Sequence, residues 1–235
     1  MIKENISMYM KRAISILVAV IMLSSVATAI EGDITTDHAT DTNFSDVSPT
    51  AWYYHYVMLS CDCSFMDGIA NDKFCPEMKA SRAQAVQVIY ACAYKPETDS
   101  KTCMFNDIDK SAWYYNAVNW GASIGITKGY KDGTFRPNEE IKRQDMACML
   151  YCFAGYQLGE KDIKNNNKRS INEFNDCDKI SKYAQEAMSW CVSNNLMGGY
   201  GGSIYPHKTL TRAEMATISV AYLRYYTDHI STKTN

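Results

Sequence analysis

The chain of 235 residues has little of what marks catalysis or nucleic-acid binding. It contains four histidines, and no Cys–His or Ser–His pair stands at a spacing typical of hydrolases. Lysine and arginine total 24 against 26 acidic residues, and the absence of a basic run argues against nucleic acid as a partner. The step Lys131-Asp132-Gly133 lacks the acidic series and the closing Glu of an EF-hand loop. We therefore predict no enzyme, no cofactor and no metal site.

Cysteine, by contrast, is abundant, with nine residues, an odd number that cannot pair completely within one chain. Cys92, Cys148 and Cys152 fall within apolar helical patterns, where a thiol packs like a small hydrophobic side chain. Four others lie nearer loops and are candidates for disulfides: Cys61, Cys63, Cys75 and Cys103. The sequence leaves two interpretations open, buried free thiols or a disulfide framework.

The N-terminus has the three parts of a secretory signal peptide. Lys11 and Arg12 precede an apolar run over 13–26, and Ala27-Thr28-Ala29 follows as an A-x-A site. We predict a signal peptide at 1–29, a linker at 30–43, export, and no membrane attachment after cleavage. The alternative is an uncleaved anchor, because the apolar run is nearly long enough to span a bilayer.

Three segments of the chain share one register. Each opens with Phe-x-Asp, continues through an aromatic cluster and a glycine-containing loop to a proline, and reaches an arginine six residues after that proline. The landmarks are Phe44, Asp46, Trp52, Pro76 and Arg82; Phe105, Asp107, Trp113, Pro137 and Arg143; and Phe174, Asp176, the weaker aromatic Tyr183, Pro206 and Arg212. Such fixed spacing indicates an internal repeat. We predict units at 44–94, 105–156 and 174–226, followed by a loose tail at 227–235.

Each unit has the pattern of two helices around a loop. Ser81-Arg-Ala-Gln84 and Thr211-Arg-Ala-Glu214 fit a capping box at the start of the second helix, whereas Lys142 has no hydroxyl in that place. Apolar residues then recur at helical spacing: Ala85, Val88, Ile89 and Cys92; Met146, Met149, Leu150 and Phe153; Met215, Ile218 and Tyr222. First helices are predicted at 52–64, 113–123 and 183–194. One helix pair cannot bury its apolar face alone, so we predict an all-α, pseudo-threefold bundle of three helix–loop–helix repeats.

In combination these motifs resemble the S-layer homology (SLH) domain family. The second unit carries Gly129-Tyr-Lys-Asp-Gly-Thr-Phe-Arg-Pro137, and the third carries Thr211-Arg-Ala-Glu214. The resemblance implies a three-pronged spindle of helices that holds exported proteins on the bacterial cell wall or S-layer. It implies binding, in grooves between repeats, to secondary cell-wall polymers that often bear pyruvate ketals. The departures, Lys142-Arg-Gln-Asp145 above all, leave open how many grooves bind.

The candidate ligand-binding residues follow from chemistry and from this resemblance. An anion in the first turn of the second helix would meet free backbone N–H groups and the forked guanidinium of Arg82, Arg143 or Arg212. The alternative is that each arginine forms an ion pair with Asp46, Asp107 or Asp176.

Aromatic, acidic and glycine positions complete the predicted site. Trp52 and Trp113 are expected either to stack on sugar faces or to wedge the repeats together as core residues. The three Phe-x-Asp aspartates are read first as turn-formers and second as partners of sugar hydroxyls. Gly129 is expected to form a tight turn and, secondarily, to let backbone approach a ligand.

The predicted partner is an acidic, pyruvylated wall glycan, bound without chemical turnover. The rival prediction is a protein-binding surface-layer subunit that assembles with other exported proteins, in part through unpaired cysteines.

Overall fold

The computed structural model describes residues 44–70, 72–97, 103–159, 163 and 169–234. The predicted signal peptide and linker lie outside these residues.

Within the described residues the chain is helical and has no strand beyond isolated bridges. The α-helices are α1 Tyr54–Asp62, α2 Arg82–Cys92, α3 Tyr115–Ser123, α4 Arg143–Leu158, α5 Gln185–Ser193 and α6 Arg212–Thr234. Short 3-10 turns occupy Ile171–Glu173, Cys177–Lys179 and Lys182–Ala184. The predicted all-α class is confirmed. None of the described helices is both long enough and apolar enough to cross a membrane.

The second helix of each repeat begins where the capping pattern places it. The Ser81 hydroxyl accepts the N–H of Gln84, whose side chain accepts the N–H of Ser81 in return. Thr211 and Glu214 form the same reciprocal pair at the start of α6. Lys142 makes no side-chain cap, as its sequence predicts. The first helices begin two residues later than predicted, because Ala51, Ala112 and Ser181 close turns just before them.

Each first helix packs on the second helix of another repeat. The pairs are α2 with α3, α4 with α5, and α6 with α1, so the third repeat contacts the first. The predicted apolar stripes of the second helices are buried between them. Full burial of one such side chain contributes about 1.5–3 kcal/mol, so this shared core stabilises three units that are too small to fold alone.

A ring of backbone hydrogen bonds links the three repeats just before their second helices. Ala80 N–H donates to Leu210 C=O at 2.9 Å, and Ile141 N–H donates to Ala80 C=O at 2.9 Å. Leu210 N–H donates to Ile141 C=O at 3.0 Å and closes the ring. All three residues are fully buried. The contacts therefore run from each repeat to the other two, while the predicted pseudo-threefold symmetry stays a prediction.

The predicted loose tail at 227–235 is wrong for 227–234, because α6 continues to Thr234. Thr227 is buried, and its hydroxyl donates to the carbonyl of Leu223. The ring of Tyr225 packs edge-on against Trp190 at 5.2 Å. The segment thus continues a helix that Tyr225, just before it, already fastens to the third repeat.

Gly129 sits where a side chain does not fit. Its φ is +63°, and a Cβ there would lie 2.3 Å from Cε1 of Phe105 and 2.7 Å from the Thr134 carbonyl. The opening Phe of the second repeat thus packs directly on this loop. The glycine serves the tight turn that its position predicts.

Gly129→Ala is expected to destabilise the fold by about 2–4 kcal/mol, since it adds overpacking to left-handed strain. The control is Gly125→Ala, where φ is +79° but no atom lies within 4 Å, so that only the strain of about 1 kcal/mol applies. Urea unfolding measures both variants. Equal losses of stability in the two variants would contradict the close packing on Phe105.

Candidate functional site

The three repeat arginines are buried and bind the loop of another repeat. Nε of Arg82 donates to the Phe135 carbonyl at 2.9 Å. Nε of Arg143 donates to the Ile204 carbonyl at 2.9 Å, and Nε of Arg212 donates to the Phe74 carbonyl at 2.8 Å. We call each arginine and its loop a junction: Arg82 with 129–139, Arg143 with 199–208, and Arg212 with 68–78.

These bonds use only part of each guanidinium. Nη2 of Arg143 also donates to Gly198 C=O, and Nη2 of Arg212 donates to Asp67 C=O at 2.6 Å. Burial lowers the pKa of both groups, although an arginine stays protonated at neutral pH. A guanidinium has five N–H donors, so most of them lie outside these carbonyl bonds.

The backbone N–H groups at the start of each second helix are not available to an anion. Arg82 N–H donates to Glu139 C=O at 2.8 Å, and Ala83 N–H donates to Pro137 C=O at 3.0 Å. The equivalent bonds join Arg143 to Lys208, Gln144 to Pro206, Arg212 to Met78 and Ala213 to Pro76. The prediction of free N–H groups at these helix ends is wrong, because loop carbonyls from a neighbouring repeat satisfy them.

The Phe-x-Asp aspartates hold the same loops from the other side. The two carboxylate oxygens of Asp46 accept the N–H groups of Phe74 and Cys75 at 2.9 and 2.8 Å. Asp107 does the same for Phe135 and Arg136, and Asp176 for Ile204 and Tyr205. The second residue of each pair has a left-handed φ of 57°, 60° or 54°, which an L side chain rarely adopts.

The aspartates therefore form turns, as the first interpretation predicts. The alternative Asp–Arg ion pair does not describe the junctions, since Nε of each arginine donates to a backbone carbonyl. Contact of these aspartates with sugar hydroxyls stays a prediction.

Trp52 and Trp113 lie on the surface. Their side chains are 62% and 61% exposed, and each packs edge-on against the following tyrosine at 5.3 and 5.0 Å. The interpretation as wedging core residues is wrong, because each ring keeps most of its surface in solvent. In the third repeat the register places Lys182 at the tryptophan position, while Tyr183 matches the tyrosines that follow the tryptophans.

Tyr183 ties the second and third repeats together. Its hydroxyl donates to Asp145 at 2.6 Å and lies 2.7 Å from Nε2 of Gln144. Burial first, and then this contact with Asp145, raise the pKa of Tyr183.

One loop position that sequence reasoning missed differs in charge among the junctions. Two residues after the repeat proline stand Met78, Glu139 and Lys208. Glu139 accepts the hydroxyl of Tyr130 at 2.7 Å, and Lys208 donates to Glu214 at 2.9 Å. Aligning the three copies on their prolines would have revealed this difference.

All nine cysteines are free thiols in the structure. Burial raises the pKa of Cys61 to about 12 and that of Cys63 to about 11. These thiols are therefore protonated at neutral pH and are poor nucleophiles. The interpretation of thiols as small core residues does not hold for Cys152, which is exposed, while Cys92 and Cys148 are half-buried.

Comparison with known proteins assigns the chain to a family. The model of the S-layer homology domain matches residues 43–86, 105–147 and 173–216, which together make up more than half of the chain. The chain belongs to the S-layer homology family, with three tandem copies in the predicted order.

The chain is similar to an endoglucanase and to proteins named as surface-layer or anchoring proteins. An endoglucanase of Bacillus sp. (strain KSM-635) is 27% identical over 88% of this chain and 22% of its own length. The Surface-layer 125 kDa protein of Lysinibacillus sphaericus is 27% identical over 67% of this chain and 13% of its own. The Cellulosome-anchoring protein of Acetivibrio thermocellus is 33% identical over 55% of this chain and 27% of its own length. The chain thus spans under a third of each of these relatives. It is a bacterial cell-surface protein.

The aspartate clamp makes a prediction about acid stability. Burial opposes ionisation of Asp46, but the N–H groups of Phe74 and Cys75 outweigh it and lower the pKa below 3.8. The carboxylate therefore stabilises the fold above the unfolded-state pKa, and this stability is lost as pH falls through the lower folded-state pKa.

Asp46→Asn is expected to lower the free energy of unfolding by about 1–3 kcal/mol at pH 7, because one acceptor oxygen is lost. The difference from wild type should shrink as pH falls below about 4. Urea unfolding across pH measures it, with the exposed Asp178→Asn as the control. A difference that persists unchanged in acid would contradict the clamp.

Proposed function

We propose that the three repeats anchor their carrier non-covalently by binding an acidic, pyruvylated secondary cell-wall polysaccharide in the grooves between repeats. The observation that carries this proposal is the pairing, within one fold, of arginines held at the repeat junctions with two tryptophans left on the surface. Burial of charge and exposure of large aromatic rings both oppose stability unless something uses them.

The arginines supply the charge that an acidic glycan needs. Their Nε atoms are fixed by the Phe74, Phe135 and Ile204 carbonyls, so the planar fork is oriented before a ligand arrives. Charge-assisted hydrogen bonds from the remaining donors to a carboxylate contribute about 1.5–3 kcal/mol each.

The exposed tryptophans supply flat apolar faces. A sugar ring has an apolar face of axial C–H groups that packs on an aromatic ring, and the partner Tyr53 or Tyr114 holds each indole edge-on. In this proposal the loops are shaped by Asp46, Asp107, Asp176 and Gly129.

Attachment is strengthened because the sites share one body. Three modest sites joined by the backbone ring can engage one polymer together, which raises the effective concentration at the second and third contacts. No bond is made or broken in this role. The raised pKa values of Cys61 and Cys63 weigh against the use of these two thiols in assembly.

The wall-polymer proposal is tested with purified sacculi before and after extraction of the secondary polymer with hydrofluoric acid. We expect the protein to sediment with intact sacculi and to stay in solution with extracted ones. Sacculi re-extracted with buffer alone are the control. Sedimentation of the protein with acid-extracted sacculi would contradict the proposal.

The tryptophan contribution is tested with Trp52→Ala and Trp113→Ala, alone and together. Each is expected to weaken retention about twofold to tenfold, matching an aromatic contact of about 0.5–1.5 kcal/mol. The melting temperature should hardly change, because the side chains are exposed. Met104→Ala, at another exposed apolar residue, serves as control. Unchanged retention in the double variant would remove the tryptophans from the site.

A further inference from the structure

We propose that the three junctions are unequal in their chemistry, and that Lys208 with Tyr200 and Tyr205 forms the principal subsite for a carboxylated sugar. This inference rests on the proposed function and adds which junction takes the charge and which residues meet it. It predicts in addition that the equivalent place in the second repeat disfavours anions.

The third-repeat loop presents an aromatic platform beside a cation. Tyr200 and Tyr205 stack with their centroids 4.5 Å apart and their planes 26° apart, and Tyr200 is 63% exposed. Nζ of Lys208 lies 5.6 Å from the centre of the Tyr200 ring. A sugar ring on the exposed face of Tyr200 would therefore carry its substituents next to an ammonium group.

Lys208 has donors to spare for a ligand. Its ammonium has three N–H groups, one of which serves Glu214 at 2.9 Å, and its side chain is 35% exposed. Burial opposes ionisation of Glu214, but the Thr211 N–H, Lys208 and Arg143 lower its pKa, which places two cations around one carboxylate. The two remaining N–H groups of Lys208 are the donors that a ligand carboxylate would meet at this junction.

The second-repeat junction has the opposite character. Glu139 stands in the place of Lys208 and accepts the Tyr130 hydroxyl at 2.7 Å. The nearby Arg136 lies over the Tyr130 ring at 3.8 Å, but it is already paired with Asp132 at 3.0 Å. A ligand carboxylate placed beside Tyr130 would therefore approach Glu139, while the guanidinium of Arg136 is already paired with Asp132.

The first-repeat junction carries no charge at these two loop positions. Ile69 and Met78 are exposed there, in the places of the tyrosine and of Glu139 or Lys208. These two side chains can make apolar contacts with a sugar, but they cannot form an ion pair with its carboxylate. Affinity for a carboxylated sugar should thus fall from the third repeat to the first and then to the second.

The natural differences among the repeats supply variants that suit the fold. Lys208→Met places the first-repeat residue in the third repeat, and Glu139→Lys places the third-repeat residue in the second. The probe is a methyl hexopyranoside bearing a 4,6-pyruvate ketal, and its methyl ester is the neutral match. Calorimetric titration into the purified full chain gives the dissociation constants.

We expect wild type to bind the acid at least tenfold more tightly than the ester. Lys208→Met should lose about tenfold in affinity for the acid and little for the ester, while the exposed Lys110→Met stays like wild type. Glu139→Lys should gain affinity or add a second site. Tyr200→Ile should weaken binding of the acid and of the ester alike, since it removes the aromatic platform and leaves the charge of Lys208.

The outcomes separate this inference from the proposed function. If wild type sediments with intact sacculi but Lys208→Met binds the acid as tightly as wild type, the inference is overturned and the anchoring proposal stands. Equal affinity of wild type for acid and ester would overturn it as well. If wild type does not bind intact sacculi, the proposed function fails and the inference fails with it.

Discussion

The fold depends on one kind of contact, the donation of N–H groups from the start of one repeat's second helix to the loop of another repeat. Arg82 does this twice, through its backbone N–H to Glu139 and through Nε to Phe135. A helix end must find partners for its first N–H groups, and here the partner belongs to a different repeat. Folding of each repeat is therefore coupled to the presence of its neighbours, and the Ala80–Ile141–Leu210 ring closes the set.

This coupling constrains what the arginines can do. Each arginine orders a loop through Nε, and in the proposed function its remaining donors also bind the ligand, so one side chain has both a structural and a binding role. Replacing it would remove both roles together, so loss of binding in an arginine variant would not separate them. The exposed Trp52 and Trp113, and Lys208 beyond the ring, are the better probes, since their side chains make no bond in the ring itself.

Much of this architecture could be predicted from the sequence because its signals are local. The spacing of proline and arginine and the Ser81 and Thr211 caps are short-range patterns, and the structure confirms the helices that they start. The partners of the helix N–H groups could not be predicted, because they depend on how the repeats pack. The exposure of Trp52 could not be predicted either, because its sequence pattern suits a core aromatic residue as well as a surface one. The helix over 227–234 was missed because these residues are mostly polar, and they continue a helix whose packing residue, Tyr225, lies before them.

The contacts that are alike in the three repeats and those that differ lie on different parts of each loop. The carbonyls that meet the arginines are backbone groups, which almost any side chain leaves unchanged, so the loops can vary without loss of the ring. Met78, Glu139 and Lys208 all accept an arginine N–H through the backbone while presenting an apolar, an acidic and a basic side chain. Because structure rests on the backbone and recognition on the side chain, the three junctions are free to diverge. A triplicated fold of this kind can therefore keep its shape while concentrating recognition of an acidic ligand in one copy.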